Sequence, residues 1–257
     1  MTSAPALGAP GTPVIITGGA SGIGLASAEA LAAVGRGVAL WDINGEAAKS
    51  AADNLAQTYG VAAVGVPVDL RDPDAIAPAL AVTRAAVGKP GGLVHAAGTV
   101  DTGSIDGLTV ESWDAGMAIH LRSLALIAQA VREDMASQPG SAIVAIASIN
   151  ATLGNAMNPI YSAAKGGMLS LVRSMADRLA RDGIRVNSVS PGQIVTPMMR
   201  PALDAMPGFF EKRILLERIG DPMEVGRAVR FLLSEEASYI TAAQLVVDGG
   251  NISSQRC

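Results

Sequence analysis

The chain has 257 residues, a net charge of −4, 49% hydrophobic and 3% aromatic residues, 29 glycines, two histidines and one cysteine. No grouped Lys and Arg stand ready to neutralise phosphates, which argues against a nucleic-acid partner; the lone Cys257 closes no internal disulfide, and with so few His and Cys no metal site is expected. The length suits one large α/β domain whose core is built from Ala, Val, Leu and Ile rather than from aromatic rings.

Residues 1–13, rich in Ala, Pro and Gly and without Lys or Arg, read as a flexible lead-in and not as a signal peptide. From there to residue 257 a single dinucleotide-binding catalytic domain is expected. Short β-branched runs at Val14–Thr17, Val38–Asp42, Ala62–Asp69, Leu93–Ala96, Ala142–Ala147, Arg185–Ser190 and Gln244–Val247 read as strands. Helical stretches lie between them at Gly22–Val34, Glu46–Gln57, Pro73–Ala86, Glu111–Met135, Pro159–Arg181 and Pro222–Leu233. This alternation predicts a Rossmann-like, doubly wound parallel sheet of about seven strands with helices on both faces. The last helix has a legible start, with Asp221 as cap, Pro222 in the first turn and Glu224 placed to reach back.

Two segments depart from the alternation. The least charged one, Ser141–Tyr161, carries Asn150, Gly154, Asn155, Asn158 and Pro159, all costly in lipid. It therefore reads as a buried strand and a loop, and a cytoplasmic protein without a membrane partner is expected. The segment of about 194–219, with Pro197, Pro201, Pro207, three methionines and adjacent Phe209 and Phe210, reads as a substrate lid.

The first strand runs straight into Thr17-Gly18-Gly19-Ala20-Ser21-Gly22-Ile23-Gly24. Glycines there permit a tight turn, close approach of backbone N–H groups to a pyrophosphate, and tight packing of the next helix, whose N-terminus favours phosphate. Alone, such a loop is also an ordinary glycine turn; between a first strand and a helix it points to a dinucleotide. Asp42, at the end of the second strand, is placed to hold ribose hydroxyls and to repel a 2′-phosphate. No Arg or Lys occupies the loop or follows Asp42, so the expected cofactor is NAD(H) and not NADP(H).

Tyr161 and Lys165 share a helical face, and Ser148 ends the fifth strand at the edge where ligands of a parallel sheet collect. Each alone would be a packing, solvated or turn residue; together, on the edge that carries the glycine loop, they suggest hydride-transfer chemistry. A carbonyl that accepts hydride must gain a proton, and an alcohol that gives hydride must lose one. A phenol can serve both, provided its ordinary pKa of ~10 is brought down. A nearby ammonium, together with the positive nicotinamide ring, favours the phenolate, each unit requiring ~1.4 kcal/mol of differential interaction. Ser148 would donate a hydrogen bond to the substrate oxygen as charge develops.

From Val14 to Gly250 the sequence resembles the classical short-chain dehydrogenase/reductase family: Thr-Gly-x-x-x-Gly-x-Gly at Thr17–Gly24, Tyr-x-x-x-Lys at Tyr161–Lys165 with Ser148 at the family's spacing, and Pro191-Gly192 after the sixth strand. The resemblance implies an NAD-dependent alcohol dehydrogenase or ketone reductase with Tyr161 as general acid/base, Lys165 on the nicotinamide ribose and Ser148 on the substrate carbonyl. It further implies cofactor contacts at Ala97, Gly98, Ile194 and Thr196, adenine contacts at Asp69 and Leu70, a terminal strand end at Val247–Gly250, and a homotetramer. Two positions depart from it. His95, in His95-Ala96-Ala97-Gly98, and His120, in Ile119-His120-Leu121, stand where the family places asparagine. His95 reads as holding backbone groups beside the cofactor. His120 reads as a tolerated replacement or, more sharply, as a proton-relay member titrating between pH 6 and 8.

Candidate substrate contacts are Asn150, Asn155, Met157, Met198, Met199, Phe209 and Phe210, whose apolar members suggest a cyclic or aliphatic secondary alcohol or ketone. The alternatives are a 3-oxoacyl thioester reductase of fatty-acid synthesis, a job that usually favours NADPH, and a catalytically silent NAD-binding regulatory protein.

Overall fold

A computed structural model describes residues 7–253 of the chain; Cys257 and the first six residues of the lead-in lie outside them. Seven strands form one parallel sheet in the order β3-β2-β1-β4-β5-β6-β7. They are β1 (Val14–Thr17), β2 (Val38–Asp42), β3 (Ala63–Pro67), β4 (Gly92–His95), β5 (Ala142–Ile146), β6 (Arg185–Pro191) and β7 (Gln244–Val247). The central strands are covered on both faces, which is why they are continuous apolar runs rather than alternating ones, while the edge strands β3 and β7 are partly exposed. Ile15, Trp41, Leu93 and Ile143 face a core closed by α3 (Ile76–Val87), α5 (Ser123–Ala136) and α6 (Pro159–Leu179). Val14, Ile16, Leu40 and Val144 face the other, closed by α1 (Gly22–Ala32), α2 (Gly45–Tyr59) and α8 (Pro222–Leu233). Each such side chain, fully withdrawn from water, stabilises the fold by ~1.5–3 kcal/mol before entropy is counted.

The α8 start is as the sequence indicates: the Asp221 carboxylate accepts from Met223 N–H at 2.7 Å, and Glu224 accepts from Asp221 N–H at 2.8 Å. Two other expectations are modified. The described part of the lead-in is tied to the body, with Ala9 O accepting from Glu235 N–H at 2.9 Å and Thr12 O from the buried Arg36 Nε at 2.9 Å. The helix expected over Glu111–Met135 is instead α4 (Val110–Met117), a π-helical turn at Ala118–Arg122, and α5.

The segment after β6 is pinned at its base by a parallel bridge between Ile194 and Gly220 and contains the short helix α7 (Arg200–Ala205) and a 3-10 turn at Glu211–Arg213. Among the described residues no helix is long and apolar enough to cross a membrane.

Candidate active site

The sheet order changes direction at β1, between β2 and β4. In an open α/β sheet the crevice at the carboxyl ends of such strands receives the ligand. Gly18 has φ +63°, and a Cβ on it would stand 2.9 Å from Ala97 N; a Cβ on Gly24 would stand 2.0 Å from Gly18 O. Only glycine allows the loop to fold this tightly between β4 and α1. Ser21, the N-cap of α1, makes no side-chain cap bond, and the first turn holds no acidic residue. The first N–H groups of α1 thus keep neither a cap nor a carboxylate, and with the helix dipole they suit an anion such as a pyrophosphate. The residues present therefore fit a dinucleotide. Asp42 lies against the same loop, Oδ2 accepting from Ala20 N–H at 3.1 Å and Oδ1 from Asn44 N–H at 2.9 Å. Thr196 flanks Gly22, and Gly192 closes the end of β6 by donating its N–H to Val247 O at 3.0 Å.

Across the crevice, the turn just after β5 carries Ser148, and α6 brings up Tyr161 and Lys165. The Ser148 hydroxyl acts on the Tyr161 phenol, drawing its pKa down against the larger upward push of burial. Ser148 Oγ also accepts from Asn150 N–H at 3.1 Å, which fixes its rotamer. The buried Lys165 donates from Nζ to Ile146 O at 2.6 Å and stands 5.5 Å from the centre of the Tyr161 ring. Burial lowers the Lys165 pKa to about 7 and raises that of the Tyr161 phenol above its ordinary value, an effect Ser148 partly offsets. The ammonium lies over the ring, and desolvation is the larger effect.

The two histidines take up distinct work. Thr17 Oγ1 accepts from the N–H groups of Ala96 and Ala97, each at 3.1 Å, so its own proton goes to His95 Nδ1 at 3.1 Å. His95 Nε2–H then faces Ser123 Oγ at 3.4 Å, and Ser123 donates to Ile119 O at 2.6 Å. This chain of hydroxyls and imidazole links the glycine loop to the π-turn, in which Ser123 N–H bonds Ala118 O. His120 sits in that turn. Its Nε2 is 2.9 Å from Thr99 O and 3.3 Å from Thr99 N, and its ring meets the Tyr161 ring edge-on. Burial first, then the charge of Lys165, lower both imidazole pKa values to about 3, so both rings are neutral at physiological pH.

Residues 18–251 match the family described as enoyl-(acyl carrier protein) reductase. The chain is 35% identical over 239 residues to a probable galactose dehydrogenase of Rhizobium meliloti, covering 92% of this chain and 93% of that protein. It is 33% identical over 236 residues to a 3-oxoacyl-[acyl-carrier-protein] reductase of Chlamydia muridarum, covering 92% and 95%. The chain is a classical short-chain dehydrogenase/reductase. As an oxidoreductase of this family it binds a nicotinamide cofactor. Its fold superposes with a TM-score of 0.91 at 28% identity on L-sorbose reductase from Gluconobacter frateurii, solved with NADPH and L-sorbose, covering 97% of this chain and all of that one.

Several sequence expectations for this dehydrogenase/reductase are redrawn by the structure. Asp69, expected at the adenine, spends its carboxylate on Arg71, whose Nη2 lies at 2.6 Å and whose N–H lies at 2.9 Å; Leu70 is buried in the core. His95 touches no crevice surface and acts through Thr17. His120 is too deeply buried to titrate between pH 6 and 8. None of the seven predicted substrate contacts lines the cavity of about 170 Å³ beside Tyr161, which is walled by Thr99, Val100, Asp101, Ser112, Ala115, Gly116, His120 and Ile160. Asn155 Oδ1 is engaged by Met157 N–H at 3.0 Å; Phe209 packs on Phe210 and under Arg213; Met157 and Met198 are exposed. Conversely, Thr99, Asp101 and Ser123 were not legible as site residues. No motif marks them, and their partners lie 21 to 60 positions away.

Proposed function

We propose that this dehydrogenase/reductase transfers hydride between NAD(H) and a secondary alcohol or its ketone, with Tyr161 as general acid/base. The observation that carries this reading is the buried Lys165, held by Ile146 O at 2.6 Å with its Nζ 5.5 Å from the centre of the Tyr161 ring, with Ser148 acting on the same phenol. A bound nicotinamide supplies the hydride acceptor or donor. In the oxidative direction Tyr161 takes the alcohol proton, and in the reductive direction it returns one to the forming alkoxide. Ser148 donates a hydrogen bond to the same oxygen and so favours the state in which that oxygen is most negative. Lys165 would hold the nicotinamide ribose from the position its bond to Ile146 O fixes.

Asp42 supports NAD(H) over NADP(H). Its carboxylate stands beside the loop where a 2′-phosphate would come, and the following residue is the exposed, uncharged Ile43. The deciding experiment compares kcat/KM with NADH and NADPH over a panel of secondary alcohols, ketones and sugars. A preference for NADH of at least ~10-fold, about 1.4 kcal/mol, supports the reading; a preference for NADPH overturns it. A 3-oxoacyl thioester turned over faster than every ketone in the panel would favour the reductase of fatty-acid synthesis instead. The same reading takes the homotetramer implied by the family, checked by sedimentation.

A further inference from the structure

Helix α6 starts without a local cap. Asn158, at its N-cap position, makes no side-chain cap bond, and Pro159 has no N–H to offer. The next two N–H groups, those of Ile160 and Tyr161, are taken by a residue some sixty positions upstream: Asp101 Oδ2 accepts from Ile160 N–H at 3.2 Å and Asp101 Oδ1 from Tyr161 N–H at 2.8 Å. Asn158 Nδ2 donates to the carbonyl of Asp101 as well. One carboxylate thus does for α6 what a cap residue and a first-turn acid do elsewhere, satisfying two orphan donors and opposing the positive end of the helix dipole.

The same short loop has a second hold. Two residues before Asp101, the Thr99 backbone brackets His120 Nε2. Loop 99–101 therefore grips the π-turn on one side and the first turn of the catalytic helix on the other, and both Thr99 and Asp101 wall the cavity beside Tyr161. The geometry points to Asp101 as a positioning residue for Tyr161. It fixes the backbone of the residue that carries the phenol, and so the distance of that phenol from Ser148 and from the reacting oxygen. It touches no reacting atom itself. Its effect on rate arises because a misplacement of the order of 1 Å costs ~10²-fold in a proton transfer between fixed groups. This inference rests on Tyr161 being the acid/base of the reaction proposed above.

The test uses the full chain and its Asp101→Ala and Asp101→Asn variants, with two measurements. Hydrogen exchange is followed at the amides of residues 160 and 161, and kcat is measured beside the dissociation constant for NADH. In Asp101→Ala both amides should exchange at least ~10-fold faster, and kcat should fall ~10- to 100-fold while NADH affinity stays within about twofold. Asp101→Asn keeps an oxygen for Tyr161 N–H, so protection at residue 161 and most of kcat should return. Unchanged exchange in Asp101→Ala, or faster exchange with kcat within about twofold of the parent, overturns the inference. Should the alanine variant not fold, Asp101→Asn decides: a loss of protection confined to residue 160 with a partial loss of kcat supports the clamp, and any other pattern overturns it. A parent that turns over no alcohol or ketone would sink the proposed function, while the exchange rates would still report on the clamp.

Discussion

The imidazole of His120 meets the phenol ring of Tyr161 edge-on, with ring centroids 5.5 Å apart and planes at 82°. The contact joins the π-turn to the catalytic helix, and it is made by a neutral ring whose pKa burial lowers to about 3. The packing, not the charge, of His120 is what the site uses. The variant His120→Asn should keep turnover within about tenfold of the parent, and its pH–rate profile between pH 6 and 8 should overlay the parent's. A displaced limb in that window would restore a titrating role for this residue.

Tyr161→Phe removes one oxygen and leaves the ring that packs on His120. General acid/base catalysis is worth ~10²- to 10⁴-fold, so kcat should fall by that factor. NADH affinity, read by fluorescence titration, should change little, because the glycine loop and Asp42 are untouched. A variant retaining more than a tenth of parental kcat would remove Tyr161 from the proton transfer.

Gly98 is small for a reason visible only in three dimensions. A Cβ there would stand 2.3 Å from His120 Cε1 and 2.9 Å from Nδ1, closer than side-chain contacts allow. Gly98→Ala should destabilise the fold by ~1–3 kcal/mol, the usual cost of overpacking, measured by urea unfolding. Combining it with His120→Ala should recover part of that loss. Additive losses would show that the clash is absorbed elsewhere.

Stability should fall on mild acidification. His95 and His120 bind protons in the unfolded chain below pH ~6.5 but, with pKa values of about 3, refuse them in the folded one. Between these values the unfolded state holds more protons, so stability declines as pH drops from ~6.5 toward 3, with a slope approaching ~1.4 kcal/mol per pH unit for each imidazole. Above pH ~6.5 neither ring contributes a slope. Urea titrations between pH 4.5 and 7 check this. His120→Asn should remove about half of the dependence in that window, and an unchanged slope would mean that His120 is already protonated in the fold.

The strands were legible to within about two residues at either end, and five of the six expected helices recur with small shifts, the exception being the stretch that forms α4, the π-turn and α5. Apolar runs of strand length separated by helical stretches leave few other arrangements for a covered parallel sheet. The glycine loop and the Ser148, Tyr161 and Lys165 set were legible because their function demands fixed residue types at fixed local spacing. The π-turn at Ala118–Arg122 was not, since one extra residue in a turn barely disturbs helical periodicity. The substrate contacts were expected from their places beside the motifs in the chain; Met157 and Met198 are exposed and do not line the cavity beside Tyr161, whose walls come from distant segments.

The sequence by itself determined the fold class, the glycine loop after the first strand and the proposed set of Ser148, Tyr161 and Lys165. Each of these is written in short-range patterns: strand runs, glycine spacing, and a Tyr and a Lys one helical turn apart. Tertiary structure alone decided the lowered pKa values of His95, His120 and Lys165, the hold of Asp101 on the Tyr161 backbone, and the shape of the cavity beside it. Those properties depend on burial and on contacts between residues far apart in the chain, and neither the dielectric around a group nor its distant partner is encoded at the group's own position.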